Sequence, residues 1–139
     1  MLKARIALWL RGDRARQALA EARCDLDALS LPDAVARRAA RPVAARPRRR
    51  SLGIFRVAVS AVLEREGETH PCLVRALALL GEARACGYEP SLVVGVRRGA
   101  AGAVESHAWL AIGGAPFLEA HETPDRYETI TVLPADAVR

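Results

Sequence analysis

The chain has 139 residues, room for one compact domain and not two. Hydrophobic residues make up 51% and aromatic residues 4%, so the core must be aliphatic. Residues 1–50 carry 13 basic and 5 acidic side chains, net +8, which leaves 8 basic and 11 acidic, net −3, for residues 51–139. A basic arm thus precedes an acidic body, and such an arm suits nucleic acid or anionic lipid as well as a solvated helix.

The apolar stretch near Met1 is ended by Arg11 and is shorter than the roughly 7–15 residues of a signal-peptide core. No later stretch approaches the ~20 apolar residues of a membrane span. Cys24, Cys72 and Cys86 are odd in number and match no zinc or disulfide spacing, which points to a reducing cytoplasm.

Residues 1–11 and 14–29 have helical character, with Leu19, Ala22, Leu26 and Leu29 forming an apolar stripe. Pro32 suits the first turn of another short helix, running to about Ala40. Residues 41–50 contain Pro42, Pro47 and five arginines without an apolar period, the pattern of an extended, solvated linker. The expected division is a helical extension over 1–40, a basic linker over 41–50 and the main domain over 51–139.

From Ser51, the side chains Leu52, Phe55, Val59 and Val62 fall on one helical face, and Gly67 marks that helix's end. Thr69 and Pro71 then form a helix start, and the helix runs to about Cys86 before Gly87. Beyond Pro90 the period changes to two. Strands are predicted over 91–97, 106–112, 116–121 and 129–133, giving an α+β fold of helices packed on a small antiparallel sheet.

This layout places Cys72 in the first turn of a helix, where unpaired backbone N–H groups and the helix dipole favour thiolate. His107, at a strand mouth, can hold that thiolate as an ion pair and later protonate a leaving amine. A carboxylate should then orient the imidazole, and Glu119 on the next strand is the leading candidate.

The turn at Gly113-Gly114-Ala115 decides whether it can. A two-residue turn pairs Ile112 with Ala115 and turns Glu119 to the face opposite His107. A three-residue bulged loop pairs Trp109 with Glu119 and puts Glu119 on the His107 face. The second register is expected. If Glu119 points away, Glu122 or Asp125 takes the role, and His121 is a further imidazole partner. Trp109 and His70 are candidates to line the substrate cleft, with Trp109 alternatively shielding the imidazole from water. Cys24 and Cys86 are expected to be packing residues. Phosphate loops, HExxH and paired CxxC are all lacking, so the inferred chemistry needs no cofactor and no metal.

The run Cys72-Leu-Val-Arg-Ala-Leu-Ala-Leu-Leu80, the strand Leu92-Val-Val-Gly-Val96, and Ser106-His-Ala-Trp-Leu-Ala-Ile-Gly-Gly114 together resemble the lasso peptide biosynthesis B protein family. The likeness covers about residues 52–133 and lies with that family's C-terminal leader-peptidase half, part of the transglutaminase-like superfamily with papain-type Cys-His-Asp order. The resemblance implies a cysteine protease that removes the leader from a ribosomally made lasso precursor. Cys72 would be the nucleophile and His107 the general base and acid, while Glu119 stands where the family has aspartate. It also implies a separately encoded leader-recognition protein, because residues 1–50 lack a strand-containing recognition module, and an ATP-dependent cyclase that acts next. Two other functions compete: acyl transfer to an amine, as in transglutaminases, and non-catalytic nucleic-acid binding through the Arg-rich arm.

Overall fold

The computed structural model describes residues 2–68 and 71–135. Two helices open the chain, α1 over Leu2–Ala28 and α2 over Leu31–Ala39. The two N-terminal helical segments are thus one continuous helix through Gly12. Ser30 caps α2, its hydroxyl accepting from the Asp33 amide at 3.3 Å, and Pro32 sits in the first turn as expected. Helix α3 spans Arg49–Glu66 and ends on Gly67 in the left-handed region, while α4 spans Pro71–Ala85.

Helix α4 is the centre of the molecule. It packs against α1, α2 and α3 on one side and the sheet on the other, and Ala76–Ala83 is an unbroken buried run. A helix apolar on nearly every face requires such enclosure. Leu19, Ala22, Leu52, Phe55, Val59 and Val62 supply the surrounding apolar surface, all buried as their spacing predicts.

Six arginines of the N-terminal segment, Arg14, Arg16, Arg23, Arg37, Arg38 and Arg41, pair with carboxylates. Arg38, 6% exposed, bonds Asp25 at 2.7 Å and Glu21 at 3.0 Å, and Arg37 reaches Asp25 at 3.1 Å. Arg14 meets the buried Glu82 at 3.0 Å, and Arg23 bridges Glu66 and Glu68 at the C-terminal end of α3. Residues 41–48 have no regular structure, yet Ala44 and Arg48 donate backbone hydrogen bonds to Arg84 and Cys86 carbonyls at 3.1 and 2.8 Å.

The sheet is antiparallel, in the order β3-β2-β1-β4, with β1 Ser91–Arg98, β2 Val104–Ile112, β3 Ala115–Phe117 and β4 Glu128–Leu133. A one-turn helix α5, Thr123–Arg126, precedes β4. This is an α+β fold, five helices on a four-stranded sheet among the described residues. Ala108 and Leu110 face α4 and join the main core, while Val93, Trp109 and Ala111 form a thinner cluster on the opposite face with Tyr127 and Val132.

Two expectations are corrected here. The hairpin has the two-residue turn, not the bulged loop: Ile112 pairs with Ala115, Ala111 with Pro116 and Leu110 with Phe117. Gly113 and Gly114 both have positive φ, 58° and 81°, and so form the tight turn whose twist matches the strands. The third strand is also shorter than 116–121. It stops at Phe117 because Leu118 takes φ 56°, a left-handed conformation that no strand continues through.

Phe55 is fully buried against α1 and α4, so Phe55→Ala should cost about 3–5 kcal/mol. Urea unfolding measures it, and a loss below about 1 kcal/mol would contradict the packing described.

Candidate active site

Cys72 is the second residue of α4, half-buried at the helix N-terminus. The enclosure of α4 fixes where that end lies: against β2, beyond the last residue that β3 pairs. In the β2–β3 hairpin the amides of Ile112 and Leu110 point toward β3, and by the two-residue alternation so does that of Ala108. The strand that would have met it has already ended. Its N–H turns to the Cys72 sulfur instead, as does the amide of Leu73.

His107 precedes Ala108 and therefore projects from the other face, at the same open edge. Its Nε2 lies 3.3 Å from Glu119 Oε2, which leaves Nδ1 as the ring nitrogen available to the sulfur. Behind the ring, Trp109 stacks at 5.8 Å between centroids and Tyr127 packs at 5.3 Å. Trp109 is 3% exposed, a placement that suits shielding the imidazole. The aromatic layer needs Gly95 on β1, directly across from His107, because a Cβ there would lie 2.8 Å from both the Trp109 ring and Tyr127 Cβ.

Glu119 reaches His107 by a route that strand alternation does not supply. Under the observed register a continued β3 would turn Glu119 away; the left-handed Leu118 reverses the chain by one residue and brings it back. Its carboxylate is then held on both oxygens. Oε1 accepts from Thr123 Oγ1 at 3.2 Å and from the Ala120 amide at 3.4 Å, and Oε2 lies 3.6 Å from Arg75, one turn along α4 from Cys72.

The three groups shift one another in the same sense. His107 lowers the Cys72 thiol, chiefly by hydrogen bonding, against the opposing effect of burial, with the Ala108 amide adding to it. The imidazole is raised from 6.5 to about 9, first by Cys72 and then by Glu119. Burial pushes Glu119 up, but His107 and the Arg75 charge outweigh it and leave the carboxyl below its usual range. All three shifts favour the charged forms, a thiolate beside an imidazolium and an ionised carboxylate, with the protons belonging to the set and not to single residues.

His70 and the capping Thr69 lie outside the described residues. His121, Glu122 and Asp125 are exposed, on the segment that leads into and through α5. Cys86 is buried, which raises its thiol, and Cys24 is exposed on α1. Arg75, Thr123 and Tyr127 complete the site without having been singled out in the sequence. Arg75 alone carried a signal, lying three residues after Cys72 on the same helical face.

An α+β body with helices packed on a four-stranded antiparallel sheet, setting a helix-terminal cysteine beside a strand histidine, is consistent with a transglutaminase-like fold. The family model described as the transglutaminase-like superfamily matches residues 1–132, and the chain belongs to that superfamily. Its members are often cysteine peptidases or acyltransferases. Neither a curated protein nor a solved structure gives a significant match to the chain. No described helix is long and apolar enough to cross a membrane.

The ion pair makes a pH prediction with a definite sign. A lowered thiol pKa means that Cys72 should stay anionic, and alkylate with iodoacetamide, below the ordinary thiol value of 9.0. His107→Asn should move the alkylation midpoint upward toward that value. Mass spectrometry resolved to the Cys72 peptide separates it from the exposed Cys24, and an unchanged midpoint in the variant would contradict the pairing.

Proposed function

We propose that this protein is a cysteine peptidase that removes the leader from a ribosomally synthesised lasso peptide precursor. The observation that carries the catalytic part is the continuous contact from Cys72 through His107 to Glu119 Oε2 at 3.3 Å, at a solvent-facing strand edge. Cys72 Sγ attacks the scissile carbonyl, and the tetrahedral species collapses as the His107 imidazolium gives its proton to the departing amine. The C–N bond breaks and the acyl group remains as a thioester. His107, now neutral, takes a proton from water, which attacks the thioester, releases the leader's new carboxylate and restores the thiolate. The freed amine of the core peptide is the group that a separate ATP-dependent cyclase joins to a side-chain carboxylate.

The lasso substrate is read from sequence. Its support is the resemblance of the Cys72–Leu80 run and the Ser106–Gly114 strand to the leader-peptidase half of that family, within a shown membership of the wider superfamily. In this proposal a separate protein recognises the leader, and helices α1 and α2 form part of its docking surface. Internal pairing of Arg14, Arg23, Arg37, Arg38 and Arg41 removes these five side chains from the charge that the basic arm could offer to phosphates.

The test is to incubate a candidate lasso precursor and its recognition protein with this chain and identify the products by mass. Wild type should release an intact core with a free amine, and Cys72→Ala should release none. Cleavage by the alanine variant would overturn the mechanism, and a leader joined to an added amine would reassign the acceptor from water. His107→Ala should lower kcat by about 10²–10⁴. Peptidase activity should fall as pH rises through about 9, where the imidazolium loses the proton it donates.

A further inference from the structure

The sheet has an unpaired edge that ends at the nucleophile. β2 is nine residues long, but β3 pairs with only its last three, Leu110–Ile112. Upstream, β2 is paired on one side alone, by β1, through a register that runs to Val104 opposite Arg98. Gly99 N–H bonds Ala103 O at 2.7 Å, so odd-numbered residues of β2 turn their backbone groups toward β1. The N–H and C=O groups of Val104 and Ser106 consequently point outward, away from the sheet. Both residues are exposed, and no backbone partner meets these groups among the described residues.

Exposed strand edges of this kind are ordinarily blunted by proline, lysine, a bulge or a covering element. Among the described residues the outer β2 edge has none of these, although the chain that could have covered it is present. Leu118 turns that chain away after Phe117, in the step that also delivers Glu119 to His107.

We propose that the edge of β2 at Val104 and Ser106 is where the substrate docks, the chain flanking the scissile bond adding to the sheet as an extended strand. This rests on the peptidase proposal above and specifies how that substrate is held. Spacing supports the occupant. One ladder step of two residues is about 6.8 Å along a strand. A substrate residue paired with Ser106 therefore places the next pairing position opposite Ala108, whose amide already faces the Cys72 sulfur. Backbone pairing supplies affinity that is indifferent to side chains, as suits a peptidase whose sequence preference comes from a partner that grips the leader elsewhere. The free edge on β4 lies beyond β1 and leads to no nucleophile.

Ser106→Pro deletes one outward N–H without touching the β1 ladder, and proline is tolerated on an outward-facing strand edge. It should raise KM by about fivefold or more, the worth of one hydrogen bond, and Ser106→Ala, which keeps the amide, should lose less. The Cys72 alkylation profile of the proline variant checks that its site is intact.

A second measurement needs neither variant nor turnover. With Cys72→Ala, a synthetic precursor carrying its full leader and the recognition protein, hydrogen exchange at the Val104 and Ser106 amides should slow on saturation. Failure to bind, or saturation with exchange at these two amides unchanged, overturns the proposal. Slowed exchange alongside a wild type that cleaves nothing would leave the docking edge standing and remove the peptidase assignment.

Discussion

Everything at the site hangs on the pairing of the Cys72 sulfur with the His107 imidazole. Neither group is where it is for its own sake. The sulfur is placed by a helix so enclosed that every residue from Ala76 to Ala83 is buried, and the imidazole by a strand whose other face is part of the same core. A shift of either element would repack the centre of the molecule, so the fold fixes the distance that the chemistry needs. Trp109 and Tyr127 pack behind the imidazole.

A single backbone irregularity then serves three ends. The left-handed Leu118 ends β3, which frees the Ala108 amide for the sulfur. It turns Glu119 back onto the imidazole, and it leaves the upstream half of β2 unpaired. Positive φ at a leucine costs on the order of 1 kcal/mol or more, and such strain persists where surrounding contacts over-determine it. Glu119 supplies those contacts through His107, Thr123, Ala120 and Arg75.

The helices and the two chemical residues were legible because they rest on local signals. Apolar spacing marked Leu52, Phe55, Val59 and Val62; Pro71 and Gly87 bracketed the helix that carries Cys72. The turn was not, since Gly113-Gly114-Ala115 admits two registers and nothing local chooses between them. Nor was the route by which Glu119 meets His107, because alternation assumes a strand and Leu118 gives no sign of ending one. The expected neighbour was reached through an incorrect register. Thr123, Tyr127 and Arg75 enter the site through tertiary packing, to which a periodic pattern is blind. The fate of the basic arm was equally hidden, since opposite charges such as Arg23 and Glu66 lie 43 residues apart.

The central claim, that Cys72 and His107 form a thiolate–imidazolium pair, is tested most directly by an NMR titration of the imidazole. In the wild type the His107 ring protons should titrate at about 9, and in Cys72→Ala, with the larger of the two raising influences gone, the midpoint should fall. A wild-type midpoint near the ordinary 6.5, or one that Cys72→Ala leaves unmoved, would contradict the pairing.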